Sequence, residues 1–185
     1  LYIPGMKLKF KQKLKDINIS VIPKAKKGCF SKKIQFFNNT VGYASFEQGG
    51  NLIIKEEWID NPFWIIYIKI EEEESKKLAS MIQQKKCIYL PYLGKNDHPA
   101  NITNIEIVNI EKKEASNQII NSLVPTGEFV YDWDEMKYKY EEYLPIALNQ
   151  ETNHYELKKF IFTDAVVEEG NSILYSDGEN NIVFY

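Results

Sequence analysis

Lys95 and His98 stand three positions apart in the run 90–102, LPYLGKNDHPANI. A base placed beside a cation is what metal-independent RNA cleavage needs. His98 would take the proton of a 2′-hydroxyl, and Lys95 would stabilise the charge that builds on the phosphate. Gly94 can adopt positive φ, and Lys95, Asn96, Asp97 and His98 follow it as four polar side chains before Pro99. A polar loop held between apolar stretches suits a site. The same residues also suit a plain connector whose Gly, Asn, Asp and Pro satisfy turn geometry. The only other histidine, His154, opens a predicted strand beside Tyr155 and reads as structural. No phosphate-cradling glycine loop, nucleophile elbow or Cys–His cluster occurs, which argues against a nucleotide hydrolase or a zinc enzyme. No metal and no cofactor are expected.

A second constellation could bind without reacting. Lys24, Lys26, Lys27, Lys32 and Lys33 precede the aromatic pair Phe36–Phe37. Lysines release condensed counterions when they meet phosphates, and rings stack on exposed bases, so together they could track a single strand. All 23 basic residues are Lys, with no Arg. Bidentate reading of guanine is therefore excluded, and point-charge contacts with a backbone are favoured. The alternatives are a solvated lysine-rich surface and, for at least one of the two Phe residues, ordinary core.

The elements that must position these groups follow from periodicity. Residues 16–23 alternate Ile17, Ile19 and Val21 with polar positions, as in a half-buried strand ending at Pro23. Met6 to Leu14 alternates too, with Lys on every second position. The stretch 38–51 is polar, carries Gly42, Gly49 and Gly50, and is expected to be a long flexible excursion. The apolar run 63–70 predicts a central strand covered on both faces. Residues 71–86 predict a helix, with Leu78, Met81 and Ile82 on one face, acids at its start, and Lys85 and Lys86 at its end to suit the dipole. Residues 87–90 return as a strand. Beyond it, strands are predicted at 103–110, 121–124, 128–131, 154–162, 172–175 and 182–185, and a helical turn or two within 134–143. Asp177-Gly178 signals a hairpin.

With 185 residues and 44% hydrophobic content, the chain can bury a core in one domain or two small ones. Charge is uneven. Residues 1–33 hold ten Lys against Asp16 alone, a balance of +9, whereas the remainder holds thirteen Lys against twenty-five acids, a balance of −12. The two parts therefore face different partners. Cys29 and Cys87 are far apart in sequence, which makes a disulfide framework unexpected. The longest apolar run, 63–68, is too short to span a bilayer, so no membrane association is expected and a cytoplasmic location is.

The phrase YLPYLGKNDHPANI resembles the signature loop of the CRISPR-associated Cas-five family, of the kind found in type I-B systems. Earlier, Asn61-Pro62 followed by Phe63 to Ile68 with Tyr67 is similar to the family's Asn-Pro segment. Later, Ser122 to Pro125, Phe160 to Thr163 and Asn181 to Tyr185 look like its C-terminal strands. The resemblance covers about 14–185.

It implies an α+β class: a ferredoxin-like unit of the RNA-binding RAMP superfamily over 1–101, followed by a mostly antiparallel β region over 102–185. A thumb-like basic insert falls at about 24–60. The family's opening strand and glycine-containing helix have no counterpart here, so a piece of a few tens of residues is expected to be missing.

The resemblance further implies a non-catalytic subunit of the Cascade surveillance complex in antiviral defence. Such a subunit holds the 5′ handle of the CRISPR RNA, contacts the Cas-seven backbone subunit and the Cas-eight large subunit, and meets target DNA only through the guide. The phosphates would fall to Lys24, Lys26, Lys27, Lys32, Lys33 and Lys95, with Asn96 and His98 beside them. Gly94 would allow close approach, and Tyr92 and Phe36 would stack bases. One branch of the family cleaves precursor RNA, which keeps the Lys95–His98 reading open. A protein-interaction module without RNA binding is the third option.

Overall fold

The computed structural model describes residues 17–25, 27–38, 46, 52–87, 89–95, 97–149 and 151–185. Among them the chain is mostly antiparallel β with one α-helix. In chain order the elements are β1 (Asn18–Pro23), β2 (Lys32–Asn38), β3 (Ile53–Ile59), β4 (Trp64–Lys69), α1 (Glu72–Gln83) and β5 (Glu111–Lys113). There follow β6 (Val124–Pro125), β7 (Phe129–Asp132), β8 (Lys139–Leu148), β9 (Tyr155–Thr163), β10 (Val166–Gly170), β11 (Leu174–Ser176) and β12 (Asn181–Ile182). No helix among the described residues is long and apolar enough to cross a membrane.

The buried core belongs to the C-terminal strands. Ile120, Val124, Phe129, Tyr131, Ile161, Ala165, Val167, Leu174 and Val183 form one cluster. It is built where β9, flanked by β6 and β8, comes against the β7–β10 pair and the β5–β11–β12 sheet. At the base of β9, Phe160, Ile161, Phe162 and Thr163 are all buried, so both faces of the strand are covered there.

Strand β1 joins the rest to this core. It pairs antiparallel with β4 from Asn18↔Lys69 to Pro23↔Trp64. On its other side Ile19 exchanges two backbone hydrogen bonds with Tyr185, at 3.1 and 3.0 Å, and the Leu123 N–H donates to the Val21 carbonyl at 2.8 Å. The seam is reinforced by side chains. The Tyr67 hydroxyl donates to Asp177 at 2.6 Å and accepts from the Asn180 amide at 3.1 Å, and Lys69 Nζ donates to the Tyr175 hydroxyl at 2.9 Å.

Several elements differ from the sequence reading. The run 63–70 does form a strand, β4. Among the described residues, however, it pairs only with β1, and Ile66 is 59% exposed, so the cover expected on both faces is absent. Apolar composition sets what a strand could bury, not what arrives to cover it. Described residues of 87–90 and the whole of 103–110 carry no strand, although 103–110 alternates well; alternation without a hydrogen-bonding neighbour does not make a ladder. The stretch 134–143 supplies the start of β8 instead of a helical turn, because Tyr140↔Phe162 and its neighbours pair along β9.

The helix is two residues shorter at its C-terminus than Lys85, so Lys85 and Lys86 do not sit on its last turn. Lys85 takes φ +54, its N–H donates to Ile82 and that of Lys86 to Met81, closing the helix with a left-handed cap. The hairpin signal at Asp177-Gly178 corresponds to the turn between β11 and β12, with Gly178 at φ +95. Met6 to Leu14 and Gly42, Gly49 and Gly50 lie outside the described residues.

Candidate nucleic-acid interface

Between the paired strands β1 and β4 the chain runs out as the β2–β3 hairpin, in register from Lys32↔Ile59 to Asn38↔Ile53. Residues opposite one another share a face. Lys33, Gln35, Phe37, Ile54, Glu56 and Trp58 therefore line one face, and Lys32, Ile34, Phe36, Lys55, Glu57 and Ile59 the other.

The first face is covered by the loop 91–100. That loop is closed by its own backbone: the Leu93 N–H donates to the His98 carbonyl at 2.8 Å, the His98 N–H to Lys95 at 3.0 Å and the Ala100 N–H to Pro91 at 2.8 Å, with Tyr92 bridged to Pro99. Gly94 turns it at φ +80, the positive φ expected of that glycine, and a Cβ there would meet open space.

Three side-chain contacts dock the loop on β2 and β3. Lys95 forms an ion pair with Glu56, and its ammonium lies 5.3 Å from the centroid of the Phe37 ring. His98 meets Trp58 edge to face, with ring centroids 4.8 Å apart. Trp58 Nε1 in turn donates to Glu56 at 2.9 Å. The hydrogen bonds from Lys95 and then Trp58 hold the Glu56 carboxyl below its ordinary range. His98 Nε2 is buried without a hydrogen-bond partner among the described residues.

The sequence-predicted residues do not all gather here. Lys33 lies on the loop-covered face and pairs with Asp60 at 2.6 Å. Lys32 lies on the opposite face, paired with Glu57 at 3.5 Å, and Phe36 lies there too, 66% exposed. The ring beside Lys95 is Phe37, because strand alternation sends consecutive side chains to opposite faces. Tyr92 is exposed at the start of the loop.

Lys24 belongs elsewhere, with Nζ 3.4 Å from the Asn180 side-chain oxygen at the β1–β4 seam. Lys27 is exposed in the turn after β1, next to Gly28, whose backbone packs on Tyr138. Lys26 and Asn96 lie outside the described residues. Glu56 and Trp58 were missed by sequence reasoning. The segment IIKEEWI has no alternation to mark a strand, and the loop it receives lies more than thirty residues away.

The face thus offers two pairs of opposite charge, Lys95–Glu56 and Lys33–Asp60, with an indole, a phenyl ring and an imidazole, within one hairpin and one loop. Among the described residues no three His, Cys, Asp or Glu gather to hold a metal ion. No protein-family model, curated protein or solved structure matches the chain.

Proposed function

We propose that the chain is an RNA-binding subunit of a type I CRISPR Cascade complex, acting in the cytoplasm, with the loop 91–100 and the β2–β3 hairpin gripping the 5′ handle of the CRISPR RNA. The observation that carries this reading is the docking of Lys95 against Phe37 and Glu56, which puts the glycine-turned loop and the β2–β3 hairpin with its Lys33 on one surface. Lys33 and Lys95 would neutralise phosphates, Trp58 and Phe37 would offer ring faces, and Gly94 would let a ribose–phosphate backbone come close.

The order β1, inserted hairpin, β4, α1 supports a ferredoxin-like reading as far as the helix, with the insert as a thumb, but the unit's closing strand is not found among the described residues of 87–90. On this reading the acidic C-terminal strands face the Cas-seven and Cas-eight subunits, and target DNA is met through the guide.

A mobility-shift titration with a repeat-derived 5′ handle tests the proposal. Lys33→Ala/Lys95→Ala should weaken binding and flatten the dependence of log K on log salt by roughly 1.4, about 0.7 for each lost phosphate contact on a single strand. Lys24→Ala, at the seam, should change neither. Undetectable RNA binding by the wild type sinks the reading and leaves a protein-interaction module.

A second reading is favoured by one observation, the buried Nε2 of His98 with no partner beside a lysine-bound carboxylate. A metal-independent endoribonuclease would use His98 as base and Lys95 as the charge stabiliser. It predicts cleavage of repeat RNA in the presence of a chelator, abolished in His98→Ala. Intact RNA after prolonged incubation with wild type removes it.

A further inference from the structure

Both lysines of the proposed interface, Lys95 of the loop and Lys33 of the hairpin, are held by carboxylates in the free protein. Lys95 is paired with Glu56 from β3, and Lys33 with Asp60 just beyond it. The two acids are not free to drift. Glu56 is fixed by the Trp58 indole, and the Asp60 backbone N–H donates to the Ser31 carbonyl at 2.7 Å. Their side chains are less exposed than those of the lysines they hold, 19% against 44% and 29% against 59%.

Resting on the RNA-binding reading, we infer that Glu56 and Asp60 occupy the positions of two RNA phosphates and are exchanged for them on binding. The chain thereby carries its own competitor for the site. A carboxylate and a phosphate present the same kind of anionic oxygen to an ammonium, and partly exposed ion pairs contribute little net stability, so the exchange is cheap. What changes on binding is the neighbour of each lysine, not its position. The acids, Glu56 on β3 and Asp60 just past its end, stay behind and set the affinity: with them in place each incoming phosphate must displace an anion, and only a ligand presenting two phosphates at once releases both lysines. Glu56 and Asp60 lie four residues apart, roughly 13 Å along an extended strand, so a free mononucleotide cannot reach both and an oligonucleotide can.

The test compares full-length wild type, Glu56→Gln/Asp60→Asn, the single variant Asp60→Asn, and a control, Glu72→Gln/Glu73→Gln, on the first turn of α1. Each is titrated with a fluorescein-labelled eight-nucleotide single-stranded RNA at several salt concentrations. Binding by the double variant should tighten several-fold at low salt. Asp60→Asn, which leaves the loop's contacts intact, should give part of the gain even if the double variant is poorly folded.

The control should match wild type. Wild-type binding with no gain in either Asp60 variant overturns the inference and leaves the RNA-binding reading standing. An equal gain in the control reduces the effect to net charge and also overturns it. Failure of the wild type to bind RNA removes the reading itself, and the inference with it.

Discussion

The C-terminal strands and the β2–β3 hairpin are both antiparallel ladders, yet they stand at opposite ends of burial. Phe160 of β9 is 1% exposed and Phe36 of β2 is 66% exposed, and every residue of β2 is classed as exposed. The difference is one of cover. β9 has neighbours on both edges and packed layers over its base, whereas the hairpin has a loop on one face and nothing described on the other. A ladder fixes backbone hydrogen bonds in both cases, but only the covered one gains the apolar transfer that dominates stability. The hairpin therefore offers its side chains to solvent and partners, and the core holds it in place through β1 and β4.

The contrast can be broken most forcefully in the core. Phe160→Ala should destabilise the protein by about 3–5 kcal/mol, read as a fall in the denaturant midpoint, because it empties a fully buried ring position. Phe36→Ala, measured alongside, should stay within about 0.5 kcal/mol. Comparable losses at the two positions would mean that the hairpin is packed as the core is.

Two glycines separate the regions by a smaller effect. A Cβ on Gly170 would lie 2.0 Å from the Phe129 ring in the core, so Gly170→Ala should cost about 1–3 kcal/mol through overpacking. Gly94 has open space but φ +80, so Gly94→Ala should cost only the strain of a left-handed alanine, about 1 kcal/mol. Thermal unfolding of both variants separates the steric from the conformational penalty.

The seam between the two regions gives a pH signature. Burial pulls the Asp177 carboxyl upward, but the hydrogen bonds from Tyr67, Asn180 and Glu179 outweigh it and leave it below the ordinary carboxylate range. Burial and the Asp177 bond push the Tyr67 phenol up, so at neutral pH it stays protonated and donating. A carboxylate depressed on folding contributes stability that is present above its unfolded value, near 4, and is lost as pH falls through the folded value. Tyr67→Phe should therefore cost about 1–2 kcal/mol near neutrality and make the acid side of the stability profile shallower than that of wild type. An unchanged acid limb would mean the hydroxyl does not hold the seam.

Local pattern carried much of the β content. The run 63–70 became β4 and Asp177-Gly178 a turn, each from residues a few positions apart. The segment 16–23 became β1, although it buries Ser20 and Ile22 and leaves Ile19 exposed, the opposite face to the one that the alternation of Ile17, Ile19 and Val21 marked, because Leu123 and Tyr185 pair along it. The helix was legible from local pattern too, although its end was set by Lys85 adopting a left-handed cap instead of by charge. Where local signals depended on a distant partner they misled: 103–110 alternates without a ladder, and 134–143 joins β8 because β9 is there to pair with it.

At the candidate interface the inventory was readable residue by residue: a lysine-rich, arginine-free front, a glycine-turned polar loop, and paired Phe residues. That inventory could not determine sides. That Phe37 and not Phe36 meets Lys95, that Lys32 and Lys33 part to opposite faces, and that Glu56 and Trp58 receive the loop were decided only by tertiary structure. The physical reason is that a strand's register fixes which of two neighbouring side chains faces a given partner, and that register comes from long-range pairing rather than from the residues themselves.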